Sequence, residues 1–425
     1  MKKIIFYTQG DDYSKYPLKK AKSNTFAGVV KNFKLMKKIS FLFLIISTLF
    51  SCTTQKNTPV TRTFHNVTAH YNVYFNGLMS YQSGISKIEK NFKYDYSQLL
   101  PIFSYSLDDA AKLANSDMNN TLSKMGKTIS VHSITVKPKL KSNPSPRDRD
   151  LMKKKEYCEW IDDAYLLIGK GNLYNRDYQK SLRAFRRIIN IYKTEDTRFE
   201  AELWIAKVYL QQEKLKDAFN YLTKVEDDVR HPKALNYEIN MTFADYYIKK
   251  KDYSNAISRL LKSLKLTHKK NNKTKIYFIL AQLEYLNNND NKSADYLKIV
   301  IRKNPDYDMT FNAKIMRATV ISKDKKTSDL IKQLKKMLKD EKNEDYKDKI
   351  YHALATISLK NNDTVEAIEF LKLSAQNSTT NTNQKAISYL SLADLYFKQK
   401  KFLWAGKYYD STMQYLSPQY TDYKK

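Results

Sequence analysis

From Asp162 to its end, this chain repeats one pattern about every 37 residues, and a repeat at that period dictates the architecture. Each unit reads as two short helices. A small or apolar residue stands at the start of the second: Ser181, Ala218, Ala256, Ala294, Leu330, Ala367 and Ala405, spaced 37, 38, 38, 36, 37 and 38 apart. In most units another small residue lies twelve positions earlier, where the first helix needs room: Gly169, Ala206, Ala244, Ala318, Ala355 and Ala393. The fourth unit departs, with Gln282 there and Ala281 beside it. In most units a bulky residue follows four positions after the anchor, as Phe185, Leu222, Leu260, Leu334, Leu371 and Tyr409. Tyrosines recur nine before it, at Tyr209, Tyr247, Tyr285 and Tyr396.

Two antiparallel helices this short cannot bury their apolar faces alone, so each pair must stack on the next. Small residues let the helix axes approach, and the aromatic or Leu fills the gap between pairs. The turn inside each unit is polar: Asn175-Arg176-Asp177-Tyr178, Lys251-Asp252-Tyr253, Asn288-Asn289-Asp290, Asn361-Asn362-Asp363 and Lys400-Lys401-Phe402. With these positions in this order, the units resemble tetratricopeptide repeats, lengthened by three or four residues over the usual 34. The expected fold is all-α, a tetratricopeptide-repeat superhelix of about seven helix pairs over residues 153–425, behind a helical N-terminal cap.

The front of the chain bears on location. Met36-Lys37-Lys38 is a second candidate start, followed by the apolar run Ile39 to Phe50, then Ser51-Cys52. A basic head, a short apolar stretch and a small residue before cysteine read as a signal peptide over 36–51, because the run is short for a membrane span. Leu49-Phe50-Ser51-Cys52 resembles a bacterial lipoprotein box, so Cys52 is the expected lipidation site. An uncleaved anchor is the alternative, and either reading places the protein on a membrane. Residues 1–35 show no apolar periodicity and read as upstream sequence translated from an early start.

The net charge is +31, and removing residues 1–51, with ten Lys and two Asp, leaves about +23. Lys and Arg are interspersed with Asp and Glu instead of gathered in one block, which argues against a nucleic-acid stripe. Two cysteines are present; with Cys52 acylated, Cys158 has no partner for a disulfide and reads as a small buried hydrophobe. The histidines His65, His70, His132, His231, His268 and His352 include no i, i+4 pair of the kind helical zinc sites use. No nucleophile elbow, P-loop or dinucleotide fingerprint is present. The chain reads as no enzyme and calls for no cofactor, metal or small-molecule substrate.

Residues 52–59 read as a polar tether. In 60–140, Tyr71, Tyr74, Phe75 and Tyr81 fall at helical spacing and are expected in the core of a helical cap. Pro101 interrupts, and Asp108 to Thr128 reads as a further amphipathic helix. Residues 141–152, with Ser142-Asn143-Pro144-Ser145-Pro146, read as a linker. The segment Thr63-Phe64-His65-Asn66 through Tyr71-Asn72-Val73-Tyr74-Phe75-Asn76-Gly77 resembles the N-terminal signature of the SprE/PorW-type repeat lipoproteins. The likeness continues at Val131-His132-Ser133-Ile134, at Trp160-Ile161-Asp162-Asp163-Ala164-Tyr165 and at Ser391-Leu392-Ala393-Asp394-Leu395-Tyr396-Phe397, covering nearly all of 60–420.

That resemblance implies an outer-membrane lipoprotein facing the periplasm, in the type IX secretion and gliding-motility machinery of Bacteroidetes. It implies a scaffold whose partners are the secretion translocon and the periplasmic ring or motor. Members of the family are longer, so this chain is expected to be an N-terminal portion. Groove positions on the first helices map to Lys170, Lys207, Asp245, Lys249, Asp394 and Lys398. Two alternatives remain, a glycan- or nutrient-binding lipoprotein and a lipoprotein subunit of an outer-membrane assembly machine. Against the first, the three tryptophans, Trp160, Trp204 and Trp404, sit at helical positions instead of on long insertions.

Overall fold

The computed structural model describes residues 54–139, 142–321 and 326–416; Cys52 and the apolar run before it lie outside the described residues. Seven helix pairs follow one another. Unit 1 is Ile161–Tyr174 with Tyr178–Ile191, unit 2 Thr197–Gln211 with Leu215–Asp227, and unit 3 Asn236–Lys249 with Tyr253–Leu266. Unit 4 is Lys270–Leu286 with Asp290–Lys303, and unit 5 Tyr307–Val320 with Lys326–Leu338. Units 6 and 7 are Lys347–Lys360 with Thr364–Asn377, and Thr382–Lys398 with Phe402–Tyr415. The fold is an all-α tetratricopeptide-repeat superhelix, and no strand occurs among the described residues.

One backbone device makes the turn in six of the seven units; the turn residues of unit 5 lie outside the described residues. Arg176, Glu213, Lys251, Asn288, Asn362 and Lys400 all take the left-handed conformation, with φ between 58° and 64°. The amide of the next residue completes the reversal: Asp177 N–H bonds Asn172 C=O at 2.9 Å and Asp252 N–H bonds Tyr247 C=O at 2.9 Å. The residue after the left-handed one opens the second helix. There Asp177, Asp252 and Asp363 accept from the backbone N–H of Lys180, Asn255 and Glu366 at 3.0, 3.2 and 2.9 Å.

This device corrects the register of unit 4. The left-handed residue is Asn288, so the anchor is Ser293, fully buried, and not Ala294. Its partner on the first helix is Ala281, also fully buried, instead of Gln282. Ser293 Oγ donates to Ala281 C=O at 2.8 Å, just as Ser181 Oγ donates to Gly169 C=O at 2.7 Å in unit 1. Asp290 drew the sequence alignment one position too far; Asn289 holds the cap position. The other anchors are buried at helix crossings as expected. At Gly169, an added Cβ would lie 2.3 Å from the Phe185 ring, which shows why the position is small.

First and second helices differ in composition because they differ in surroundings. The first helix of unit 2 buries Phe199, Ala201, Leu203, Trp204, Ile205, Ala206, Val208, Tyr209 and Leu210, nearly all round. It is covered by its own partner helix and by both neighbouring units. Second helices keep an outer face: Leu182, Ala184, Phe185 and Ile188 are buried, while Arg183, Arg186 and Arg187 are exposed.

Ahead of the array, Pro59–Thr68 runs through a π-helical turn, Ala69–Tyr74, into Phe75–Asn91. Its buried face is Thr61, His65, Ala69, Tyr74, Gly77, Tyr81, Gly84 and Ile88. The five-residue step from Ala69 to Tyr74 would carry an α-helix off its face, and the wider π turn absorbs it. Asn115–His132 packs between this helix and the first helix of unit 1. Gly77 permits that approach, since a Cβ there would lie 2.1 Å from Met125 Cε. Of the aromatics expected in the core, Tyr74 and Tyr81 are buried, but Tyr71 and Phe75 are 75% and 47% exposed. Three further local differences stand out. The helix expected over Asp108 to Thr128 breaks into Asp108–Lys112 and Asn115–His132. The expected linker contains a short helix, Pro146–Lys153, capped by Ser145. Within 60–140, most of 92–107 is not helical.

Candidate protein-binding groove

Residues 92–107 run as a strap along the first helices of the early units. Pro101 and the extended backbone around it leave main-chain polar groups without helical partners, and the groove supplies them. Gln282 of unit 4 acts as a clasp. Its Oε1 accepts from Leu100 N–H at 3.0 Å and its Nε2 donates to Gln98 C=O at 2.7 Å. Lys275 Nζ donates to Ile102 C=O at 3.2 Å, and Gln211 Nε2 to Ser106 Oγ at 3.0 Å. Asp108 closes the end in an ion pair with Arg176 at 2.6 Å. Leu100, Ile102 and Tyr105 are 2%, 5% and 3% exposed, so the strap is part of the core it covers. Tyr96 lies edge-on to Phe278.

The six groove positions read from the sequence divide between covered and open ends. Lys170 Nζ bonds Glu200 at 2.6 Å and lies over the Trp204 ring. Lys207 is 3% exposed, bonds Glu238 at 2.6 Å and sits 4.3 Å from the ring centres of both Trp204 and Phe103 of the strap. Both pairs reach from one unit to the next, so these lysines tie the stack together. Asp245 is buried, and its Oδ2 has no hydrogen-bond partner among the described residues. Burial raises its carboxyl above the ordinary range, against the pull of Lys249, Lys207 and Lys275. Lys249 is half-buried on the same helix. Burial also pushes the Lys275 ammonium down to about 8, with Glu89 and Asp245 opposing.

Asp394 and Lys398 lie apart from these, on the first helix of unit 7, and both are exposed. Asp394 accepts from Tyr409 Oη at 2.8 Å. Phe397 beside them is 55% exposed. The structure therefore brings Lys207 and Lys249 within electrostatic reach of Asp245, with Lys207 under Phe103 of the strap, and places Asp394 and Lys398 at the far end of the array. Sequence reasoning missed Gln282 and Lys275 as the groove's main strap contacts. The signal for Gln282 was a polar residue in the stretch 278–283, which is otherwise apolar and buried.

Nothing at the groove or elsewhere among the described residues gathers three potential metal ligands. Cys158 is buried, and burial pushes its thiol up to about 12, which fits a structural residue. Among the described residues, no helix is long and apolar enough to cross a membrane.

No protein-family model matches the sequence, and no curated protein matches it significantly. Among solved structures, the chain is similar to PilF of Pseudomonas aeruginosa, at 17% identity over 62% of this chain and 95% of that one, with a TM-score of 0.34. It is similar to the apo form of RapI at 13% identity, over 60% and 96% of the two chains, with a TM-score of 0.43. The tetratricopeptide-repeat domain of P58(IPK) aligns at 15% identity over 87% and 99%, with a TM-score of 0.23. At these scores the repeat assignment stands on the helix pairs and turns described above.

Proposed function

We propose that the protein is a non-catalytic scaffold that binds other proteins through its repeat array. The observation that carries this reading is the stack of seven helix pairs, whose first helices form one long lined groove. Such a surface suits an extended peptide or a helix more than a small molecule. Because the strap fills the groove from unit 1 to unit 4, the docking surface open to a partner lies in units 5 to 7, with Asp394, Phe397 and Lys398 at its end.

The finer reading is an outer-membrane lipoprotein, acylated at Cys52, facing the periplasm. Its partners would be the translocon and the periplasmic ring or motor of type IX secretion and gliding motility. It rests on the sequence before Cys52 and on the signature between Thr63 and Gly77. Mass measurement of the N-terminal peptide tests the anchor, and an unacylated Cys52 would overturn it. Co-purification from detergent-solubilised envelopes at low and high salt tests the partners. Recovery of type IX components supports the scaffold. Recovery of a sugar importer alone, or specific glycan binding by calorimetry, would favour the nutrient-binding alternative.

A further inference from the structure

The N-terminal helix has a second face. Opposite its buried residues, Val60, Phe64, Val67, Tyr71, Phe75 and Met79 are 69%, 45%, 51%, 75%, 47% and 46% exposed. They recur at steps of three or four, so they form one apolar stripe along the outside of Pro59–Thr68, the π turn and the start of Phe75–Asn91. Scattered apolar residues need no explanation on a protein surface, but a continuous stripe with three aromatic rings does.

We propose that this stripe lies in the interfacial layer of a lipid bilayer, so that the helix rests flat on the membrane beside the anchor. Three observations select lipid over a protein partner. The apolar run that ends at Cys52 stands seven residues before Pro59, a reach of about 25 Å when fully extended. Whether cleaved and acylated or kept, that run delivers the helix to the bilayer surface. No Asp or Glu occurs from Thr54 to Ile88, while Lys56 and Arg62 do, so the segment does not repel anionic head groups. Finally, the stripe mixes aliphatic residues with Phe and Tyr, the residues that settle at the boundary of acyl chains and head groups. The π turn contributes as well: it keeps the inner face seated on the cap while the outer face stays in line.

The proposal rests on the membrane location proposed above, and its test is separable from that of the anchor. Full-length lipidated protein carrying Val67→Cys is labelled with an environment-sensitive dye; Cys158 is buried and does not compete. The protein is placed on vesicles of phosphatidylethanolamine and phosphatidylglycerol containing a lipid-borne quencher. Quenching at position 67, with none for the same dye at Lys124→Cys, is the expected result. Unquenched dye at position 67 on vesicle-bound protein would overturn the proposal while leaving acylation, read by mass, intact. As a second measure, the Cys52→Ala form should bind dye-free vesicles, and Phe64→Ser/Tyr71→Ser/Phe75→Ser should weaken that binding roughly tenfold. The three side chains are exposed, so the melt of this variant should match its parent; equal vesicle binding with an unchanged melt would also overturn the proposal.

Discussion

At the scale of single residues, this fold depends on absence of bulk at a few positions and on one backbone angle. Ala256 is fully buried where the helices of unit 3 meet, so Ala256→Asp would force an unpaired charge into that contact. We expect a loss of about 3 kcal/mol or more, read as a lowered melting temperature by circular dichroism; an unchanged melt would mean that the crossing has room to spare. The turn residues predict the opposite sign. Lys251 holds φ 63°, which a side chain disfavours and glycine accepts. Lys251→Gly should therefore stabilise by about 0.5 kcal/mol, once the greater freedom of glycine in the unfolded chain is subtracted. Chemical denaturation would detect it as a higher midpoint with the same slope.

At the scale of elements, the helix pairs were legible in the sequence, because local spacing alone specifies them. The one slip in register came where Asn288-Asn289-Asp290 offers two residues able to cap, and sequence alone does not choose between them. The strap was not legible. Its residues have no helical or strand period, and its partners lie far away in sequence: Leu100 meets Gln282, and Ile102 meets Lys275. The burial of Lys207 was hidden for the same reason, since Phe103 is part of its cover. The strap can be tested directly. Gln282→Ala removes the clasp and leaves the Leu100 N–H buried without a partner, at a cost of about 2 kcal/mol. Proteolysis between residues 92 and 103 should accelerate while the helical content of the repeats is retained. Unchanged cutting would show that side-chain packing alone holds the strap. A second element-level prediction concerns pH. His65 and His132 meet with their Nδ1 atoms 3.0 Å apart in a buried contact between the N-terminal helix and its neighbour. Burial, then the charge of His65, lowers the His132 pKa. A folded pKa below the unfolded value means that the folded form resists protonation, so stability holds above about pH 6.5 and falls as pH drops below it. Amide exchange in Pro59–Thr68 should rise on acidification, and His132→Gln should flatten that response.

At the scale of the whole molecule, a stack of repeats has contacts chiefly between neighbours, and its stability is nearly a sum over them. The strap breaks that rule, because it links unit 1, through Arg176, to unit 4, through Gln282. Units 5 to 7 carry no strap among the described residues; their one link past a neighbour there is the ion pair of Lys360 in unit 6 with Asp290 in unit 4, at 3.8 Å. The protein is in effect a spring with a splint along half its length. Tension applied between its ends would be taken up first by the unsplinted units, which would unwind and lengthen while the half nearest the N-terminus held its curvature. A partner gripping the far end could then move relative to the N-terminal half without prying that half open.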